Sequence, residues 1–125
     1  MRNLYIIILL IFVASVILIF ISEDEMSGWS SYEVALEESR KSGKEMFIFI
    51  SSPFCPICKD FKDFLKTREF YEFISSKYVP VYIPNPSKSP FFVDSVPKFC
   101  IGYENNLSCF HTSSREKLVD LIKSR

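Results

Sequence analysis

The apolar run Met46-Phe47-Ile48-Phe49-Ile50 passes directly into Ser51-Ser52-Pro53-Phe54-Cys55-Pro56-Ile57-Cys58-Lys59, and an amphipathic segment follows. Few folds accept that succession. A run apolar at every position, rather than at every second one, is a strand covered on both faces, as in the centre of a parallel sheet. The Ser/Pro stretch is a tight turn, and Ile57, Phe61, Phe64 and Leu65 then fall at i, i+4, i+7 and i+8, one face of a helix. Two cysteines separated by two residues on the first turn of that helix are placed to close a small disulfide ring. Cys55 would stand at the helix N-terminus, where unpaired backbone N–H groups and the macrodipole favour an anion. A thiolate is such an anion, so the Cys55 thiol is expected to ionise more readily and to be the better nucleophile at neutral pH. Pro56 suits the first helical position, where its missing N–H costs nothing.

With an N-terminal apolar stretch set aside, the 125-residue chain is long enough for one domain and too short for two. Its 13 Phe and 6 Tyr against 3 Gly call for a sizeable core rather than disorder. Basic and acidic residues balance at 15 each, and no basic run interleaves with aromatics, which argues against nucleic acid as a partner. The 4 cysteines are too few for a disulfide-stapled miniprotein, so they are read as chemistry first, with no cofactor expected.

Leu4 to Ile21 is apolar except for Ser15, with Arg2 before it and Glu23, Asp24 and Glu25 after it. As a helix it would span roughly 27 Å at about 1.5 Å per residue, close to a bilayer's hydrocarbon core. Residues 1–21 are therefore expected to be a single-pass transmembrane anchor, with residues 22–28 an acidic linker and residues 29–125 the domain. The positive-inside rule places the N-terminus in the cytoplasm and the domain outside the cell membrane. A cleaved signal peptide is the competing reading, but Phe20-Ile21-Ser22-Glu23-Asp24 offers a single small residue instead of a small-x-small site. Either reading exports the domain to a compartment where disulfides persist.

Beyond the linker, Ser30-Ser31-Tyr32-Glu33 reads as a capping box with Ser30 as N-cap, opening a helix over 31–42 that Gly43 ends. After the cysteine helix, residues 67–77 repeat the amphipathic pattern with Phe70, Phe73 and Ile74. Val79 to Ile83 reads as a strand, and Pro80, lacking a ladder donor, puts it on a sheet edge with a neighbour on one side only. A loop over 84–90 leads to Phe91-Phe92-Val93, expected to return the chain to the core. Two short strands, 98–101 and 107–111, are joined by a turn over 102–106. Ser113-Ser114-Arg115-Glu116 is a second capping box, opening a final helix with Leu118, Val119, Leu121 and Ile122. The order is helix, strand, helix, strand, loop, hairpin, helix: an α/β domain with a mixed four-stranded sheet and helices on both faces.

That order, with Cys55-Pro56-Ile57-Cys58 after the core strand and Val96-Pro97 before the hairpin, resembles the thioredoxin superfamily over about Trp29 to Lys123. It is most similar to thioredoxin-like domains of exported thiol:disulfide interchange proteins. The resemblance implies a redox-active pair at Cys55 and Cys58, and a cis peptide bond at Val96-Pro97 facing them. It further implies a substrate surface formed by Phe54, Pro56, Ile57, Val96 and Pro97. Phe54 and Phe49 stand where typical thioredoxins have a Trp and a buried acid, so no carboxylate is in view to move a proton from Cys58. Pro-Ile between the cysteines matches neither the Gly-Pro of thioredoxins nor the Pro-His of strong exported oxidants.

The other reading of Cys55 and Cys58 is a static disulfide, or half of a zinc site with Cys100 and Cys109, although the latter spacing is too wide for a zinc ribbon. Cys100 and Cys109 flank the hairpin turn symmetrically, which suits a structural cross-strand disulfide. Two buried free thiols and a second exchange pair are the alternatives. His111, the sole histidine, is read as a surface residue, and Lys59 as a solvated helix residue whose charge slightly favours a thiolate. The leading function is a membrane-anchored oxidoreductase acting on protein thiols and disulfides, served by a membrane or soluble redox partner and using no metal. A redox-silent module that binds a partner through Phe54, Ile57 and Val96, and a thiolate metal carrier, are the competitors.

Overall fold

A computed structural model describes residues 1–22 and 26–125, with the side chains of 18–22 left aside. Glu23, Asp24 and Glu25, the acids of the expected linker, lie outside the described residues. In chain order the elements are α1 (Arg2–Ser22), α2 (Tyr32–Ser42), β1 (Glu45–Ile50), α3 (Pro56–Leu65), α4 (Arg68–Ser75), β2 (Tyr78–Ile83), a 3₁₀ turn (Pro86–Lys88), β3 (Lys98–Tyr103), β4 (Asn106–His111) and α5 (Arg115–Lys123).

The sheet order is β2-β1-β3-β4, with β1 parallel to β2 and the other pairs antiparallel. β1 is central, and its lack of alternation has a direct cause. Met46, Ile48 and Ile50 face Ala35 of α2 on one side of the sheet. Phe47 and Phe49 face the other side, where Phe61 and Leu65 of α3, Phe70 and Ile74 of α4, and Leu118 and Ile122 of α5 close the core. Met26 joins this second cluster, so packing begins ahead of Trp29. Helices thus cover both faces, as the order of elements implies.

β2 lies at the sheet edge. Pro80 and Tyr82 turn their backbone groups outward, where the carbonyl of Pro80 accepts from Ser30 N–H at 3.0 Å and Tyr82 N–H donates to the Ser30 carbonyl at 3.0 Å. The missing donor of Pro80 therefore falls outside the β1–β2 ladder. This Ser30 bridge corrects the expectation of a neighbour on one side only. It also displaces the cap: Ser30 is held extended against β2, and Ser31 caps α2, its side chain accepting from Val34 N–H. The final helix shows the same one-residue shift, with Ser114 rather than Ser113 as N-cap, while Thr112 accepts from Ser114 N–H at 3.1 Å.

Three more expectations change. The hairpin turn is Glu104-Asn105, because Gly102 continues β3 opposite Leu107 with φ 142°; a Cβ there would collide with the Asn106 backbone. Ile57 leaves the core face of α3, which is Cys58, Phe61 and Leu65, and is 46% exposed. Phe92 does not return to the core and is 88% exposed, while Phe91 and Val93 pack partly against the α2 side.

Among the described residues no helix is long and apolar enough to cross a membrane. The expected span is not met within them.

Phe99 of β3 joins the layers. Its ring stacks on Phe49 at 5.3 Å and Phe110 at 5.8 Å, and meets Phe61 of α3 edge-on at 5.2 Å. Removing it opens a cavity where sheet and cysteine helix join. Phe99→Ala is expected to lower stability by about 3–5 kcal/mol in urea unfolding of the detergent-solubilised full chain; a loss below about 1 kcal/mol would show that the rings do not bind these layers together.

Candidate active site

Ser51 N–H donates to the Ile83 carbonyl at 2.9 Å, extending the ladder one residue past β1 before the chain leaves the sheet. Ser52 to Phe54 turn it back, and Cys55, in extended conformation (φ −115°, ψ 105°), becomes the N-cap of α3 with Pro56 in the first turn. Its sulfur does what a Ser or Asp oxygen does at other helix starts: Sγ accepts from Cys58 N–H at 3.1 Å. The Cys55 carbonyl accepts from Lys59 N–H at 3.2 Å, closing the first helical turn.

Cys55 and Cys58 are disulfide-bonded, with Cα atoms 5.2 Å apart. The two sulfur-bearing residues are not equivalent. Cys58 is fully buried on the inward face of α3, whereas Cys55 is partly exposed and lines a cleft. A thiolate arriving from solvent meets Cys55.

The second component comes from the chain before β3. The Val96–Pro97 peptide is cis. Ile50 pairs with Lys98, so this peptide sits at the end of the sheet from which the chain departs toward Cys55. Pro97 is buried and Val96 half-buried. Two contacts brace the loop: His111 Nδ1 lies 2.7 Å from the Pro97 carbonyl, and Lys98 pairs with Asp94. His111 is exposed, in keeping with a surface residue, and the contact with the Pro97 carbonyl is what local sequence does not show. Its signal was register, since a two-residue turn at 104–105 puts His111 opposite Lys98, next to Pro97.

Phe54 is 95% exposed, Pro56 and Ile57 are exposed beside Cys55, and Phe92 is exposed on the loop leading to Val96. On the β2 side of Cys55 lies a cleft of about 640 Å³, with Lys59, Lys62 and Lys66 along α3 and Tyr82, Asn85 and Lys88 opposite. Phe49 is fully buried between the rings of Tyr82 (5.7 Å) and Phe99 (5.3 Å), so the interior behind the pair is aromatic at that position.

Cys100 and Cys109 are also bonded, as directly paired residues of β3 and β4 with Cα atoms 4.1 Å apart, the closer of the two antiparallel spacings. Cys100 packs with Ala35, Met46 and Ile48 on the α2 side of the sheet, while α3 covers the other side. The sheet thus separates the two pairs, and one zinc ion could not take all four sulfurs.

The sequence model of a family described as thioredoxin-like matches residues 28–101. An uncharacterized protein of Archaeoglobus fulgidus is 38% identical over 126 residues, covering 98% of this chain and 99% of its own. The fold resembles that of a thioredoxin from Thermus thermophilus (TM-score 0.62, 16% identity, 80% of this chain and 87% of the other). It also resembles the germline-specific thioredoxin Deadhead of Drosophila melanogaster (TM-score 0.62, 19% identity, 79% and 98%). A third likeness is to a DsbH oxidoreductase (TM-score 0.57, 22% identity, 77% and 81%).

The Asp94–Lys98 pair makes the loop sensitive to acid. Its hydrogen bond from Lys98, then the backbone and the Lys98 charge, hold the Asp94 carboxyl below the usual carboxylate range. A lowered folded value means that the stabilisation is present above the unfolded value of about 3.9 and is lost as pH falls through the folded one. Asp94→Asn is therefore expected to be less stable than the parent at pH 7, with the gap closing as pH drops below about 4. Parallel pH-dependent unfolding curves for the two proteins would exclude this role.

Proposed function

Because the chain belongs to the thioredoxin-like family, we propose that it is a thiol–disulfide oxidoreductase that acts on protein thiols and disulfides through Cys55 and Cys58. The observation that carries this reading is the asymmetry of the pair, an accessible sulfur at a helix N-cap bonded to a buried one. In the oxidised protein, a substrate thiolate attacks Cys55 Sγ, the Cys55–Cys58 bond breaks, and Cys58 leaves as a thiolate that takes up a proton. The substrate's second thiolate then attacks its own sulfur in the mixed disulfide, leaving with a substrate disulfide as Cys55 is released reduced. In the opposite direction the Cys55 thiolate attacks a substrate disulfide and Cys58 resolves the product. Electrons come from the substrate dithiol in the first case and from a thiol redox partner in the second. Helix-terminal N–H groups favour thiolate at Cys55 in both.

Phe54, Pro56 and Ile57 provide an apolar surface around Cys55, and the Val96 backbone, held by Pro97, offers an edge along which an extended substrate segment can lie. The Cys100–Cys109 bond has a structural role in this reading, tying an edge strand to the sheet.

The same proposal includes the membrane. The α1 helix runs 21 residues, its side chains from Leu4 to Val13 are exposed, and the hydroxyl of Ser15 donates to the Ile11 carbonyl at 2.9 Å. An exposed, largely apolar stretch with the Ser15 hydroxyl satisfied within the helix suits lipid. With Arg2 before it, α1 would anchor the domain on the outer side of the cell membrane.

Insulin reduction and scrambled-substrate refolding, run with the full chain in non-ionic detergent, test the chemistry. The parent should turn over in at least one assay, Cys55→Ala should fall to background, and Cys58→Ala should accumulate a mixed disulfide at Cys55. After reduction, iodoacetamide should label Cys55 before Cys58 and faster than a thiol of ordinary pKa, about 8.5. A parent inert in both assays would leave a redox-silent binding module. For the anchor, the protein should stay with membranes through alkaline carbonate washing, and external protease should digest the domain once the outer layer is opened. Protection equal to that of a cytoplasmic marker would refute the orientation.

A further inference from the structure

Cys55, Lys59, Lys62 and Lys66 recur at intervals of four, three and four residues, so they form one stripe along α3. All four line the cleft, and Lys88 faces them from the 3₁₀ turn after β2. One carboxylate, Asp63, shares the lining, and it is already paired with Lys66 at 3.3 Å. The Lys62 ammonium lies 5.4 Å from the centre of the Tyr82 ring, which steers that side chain across the cleft. Over the whole chain basic and acidic residues balance at 15 each, so this concentration of lysines is local and not a reflection of overall charge.

We infer that the lysine-lined cleft binds an acidic, extended segment of the protein substrate next to the cysteine presented to Cys55. The inference rests on the oxidoreductase reading and adds to it a substrate class. From Cys55 to Lys66 the stripe runs roughly 16 Å at about 1.5 Å per residue, the length of about five extended residues at about 3.3 Å each. Acidic side chains on such a segment would face the ammonium groups while its cysteine sits at the helix N-terminus. The lysines line a concavity between α3 and the chain after β2, a shape that admits a peptide more readily than the flat face of a bilayer. Steering of this kind acts mainly on the rate and selectivity of encounter and weakens with salt.

The test uses the oxidised full chain in non-ionic detergent and a rhodamine-labelled, cysteine-free peptide rich in Asp and Glu, with its Asn/Gln counterpart as control. Fluorescence anisotropy should show the acidic peptide binding more tightly than the neutral one. The preference should shrink as salt rises from about 50 to 200 mM. Replacing Lys59 and Lys88 together by Gln should weaken acidic-peptide binding about five- to tenfold, with neutral-peptide binding unchanged. Equal affinity for the two peptides, salt-independent binding, or an unaffected double variant would overturn the inference. So would binding of the protein to anionic vesicles while the acidic peptide fails to bind. Turnover of a disulfide peptide without charged residues is measured alongside. Binding preference without that turnover would support the cleft's role and count against the oxidoreductase reading, whereas turnover without preference would do the reverse.

Discussion

A strand with its backbone and both faces removed from water needs hydrogen-bond partners on each edge and apolar cover on each side, since a buried unpaired amide costs several kcal/mol. β1 meets both demands, with β2 parallel on one edge, β3 antiparallel on the other, and aromatic or aliphatic side chains above and below. A parallel neighbour cannot be reached by a tight turn, so the chain must leave the end of β1, cross the sheet and return. That crossover is α3 and α4, and the cysteine pair stands where it begins. The position of the chemistry is thus a consequence of how the central strand is satisfied.

The crossover also makes the two cysteines unlike. A helix lying on the sheet turns one stripe inward, and Cys58 shares that stripe with Phe61 and Leu65, while Cys55, one turn earlier and outside the helix proper, stays at the rim. Phe99 holds α3 in place through Phe61 and reaches Phe49 within the same strand layer. The antiparallel partner β3 brings the Val96–Pro97 peptide to the same end of the sheet, and β4 supplies His111 to that peptide's carbonyl. Three segments distant in sequence converge there because the order β2-β1-β3-β4 leaves them no other meeting point.

Where sequence reading misplaced a boundary, a longer-range contact had intervened. Ser30 and Ser113 each satisfy the local capping pattern, yet Ser30 is drawn into a bridge with Pro80 and Tyr82, and the turn made by Thr112 and Ser114 moves the second cap on by one. Ile57 fits the apolar stripe of α3 by spacing, but the helix is rolled so that Cys58 takes the buried place. Gly102 looked like part of a loop because glycine usually is; here its missing side chain admits the close approach of Asn106 within the hairpin. Each displaced feature is one whose alternatives differ little in local energy.

By itself the sequence determined the strand–turn–helix junction, the N-cap position of Cys55, the mixed sheet with helices on both faces, and the edge position of β2, because all of these follow from residue periodicity and backbone donors within short stretches. Only the tertiary structure decided that Cys58 is the buried sulfur, that His111 and Lys98 brace the loop at Pro97, that the sheet separates Cys100 and Cys109 from the other pair, and that Lys88 closes a cleft opposite the lysines of α3. Those depend on helix roll, strand register and the approach of segments tens of residues apart, which no local pattern encodes.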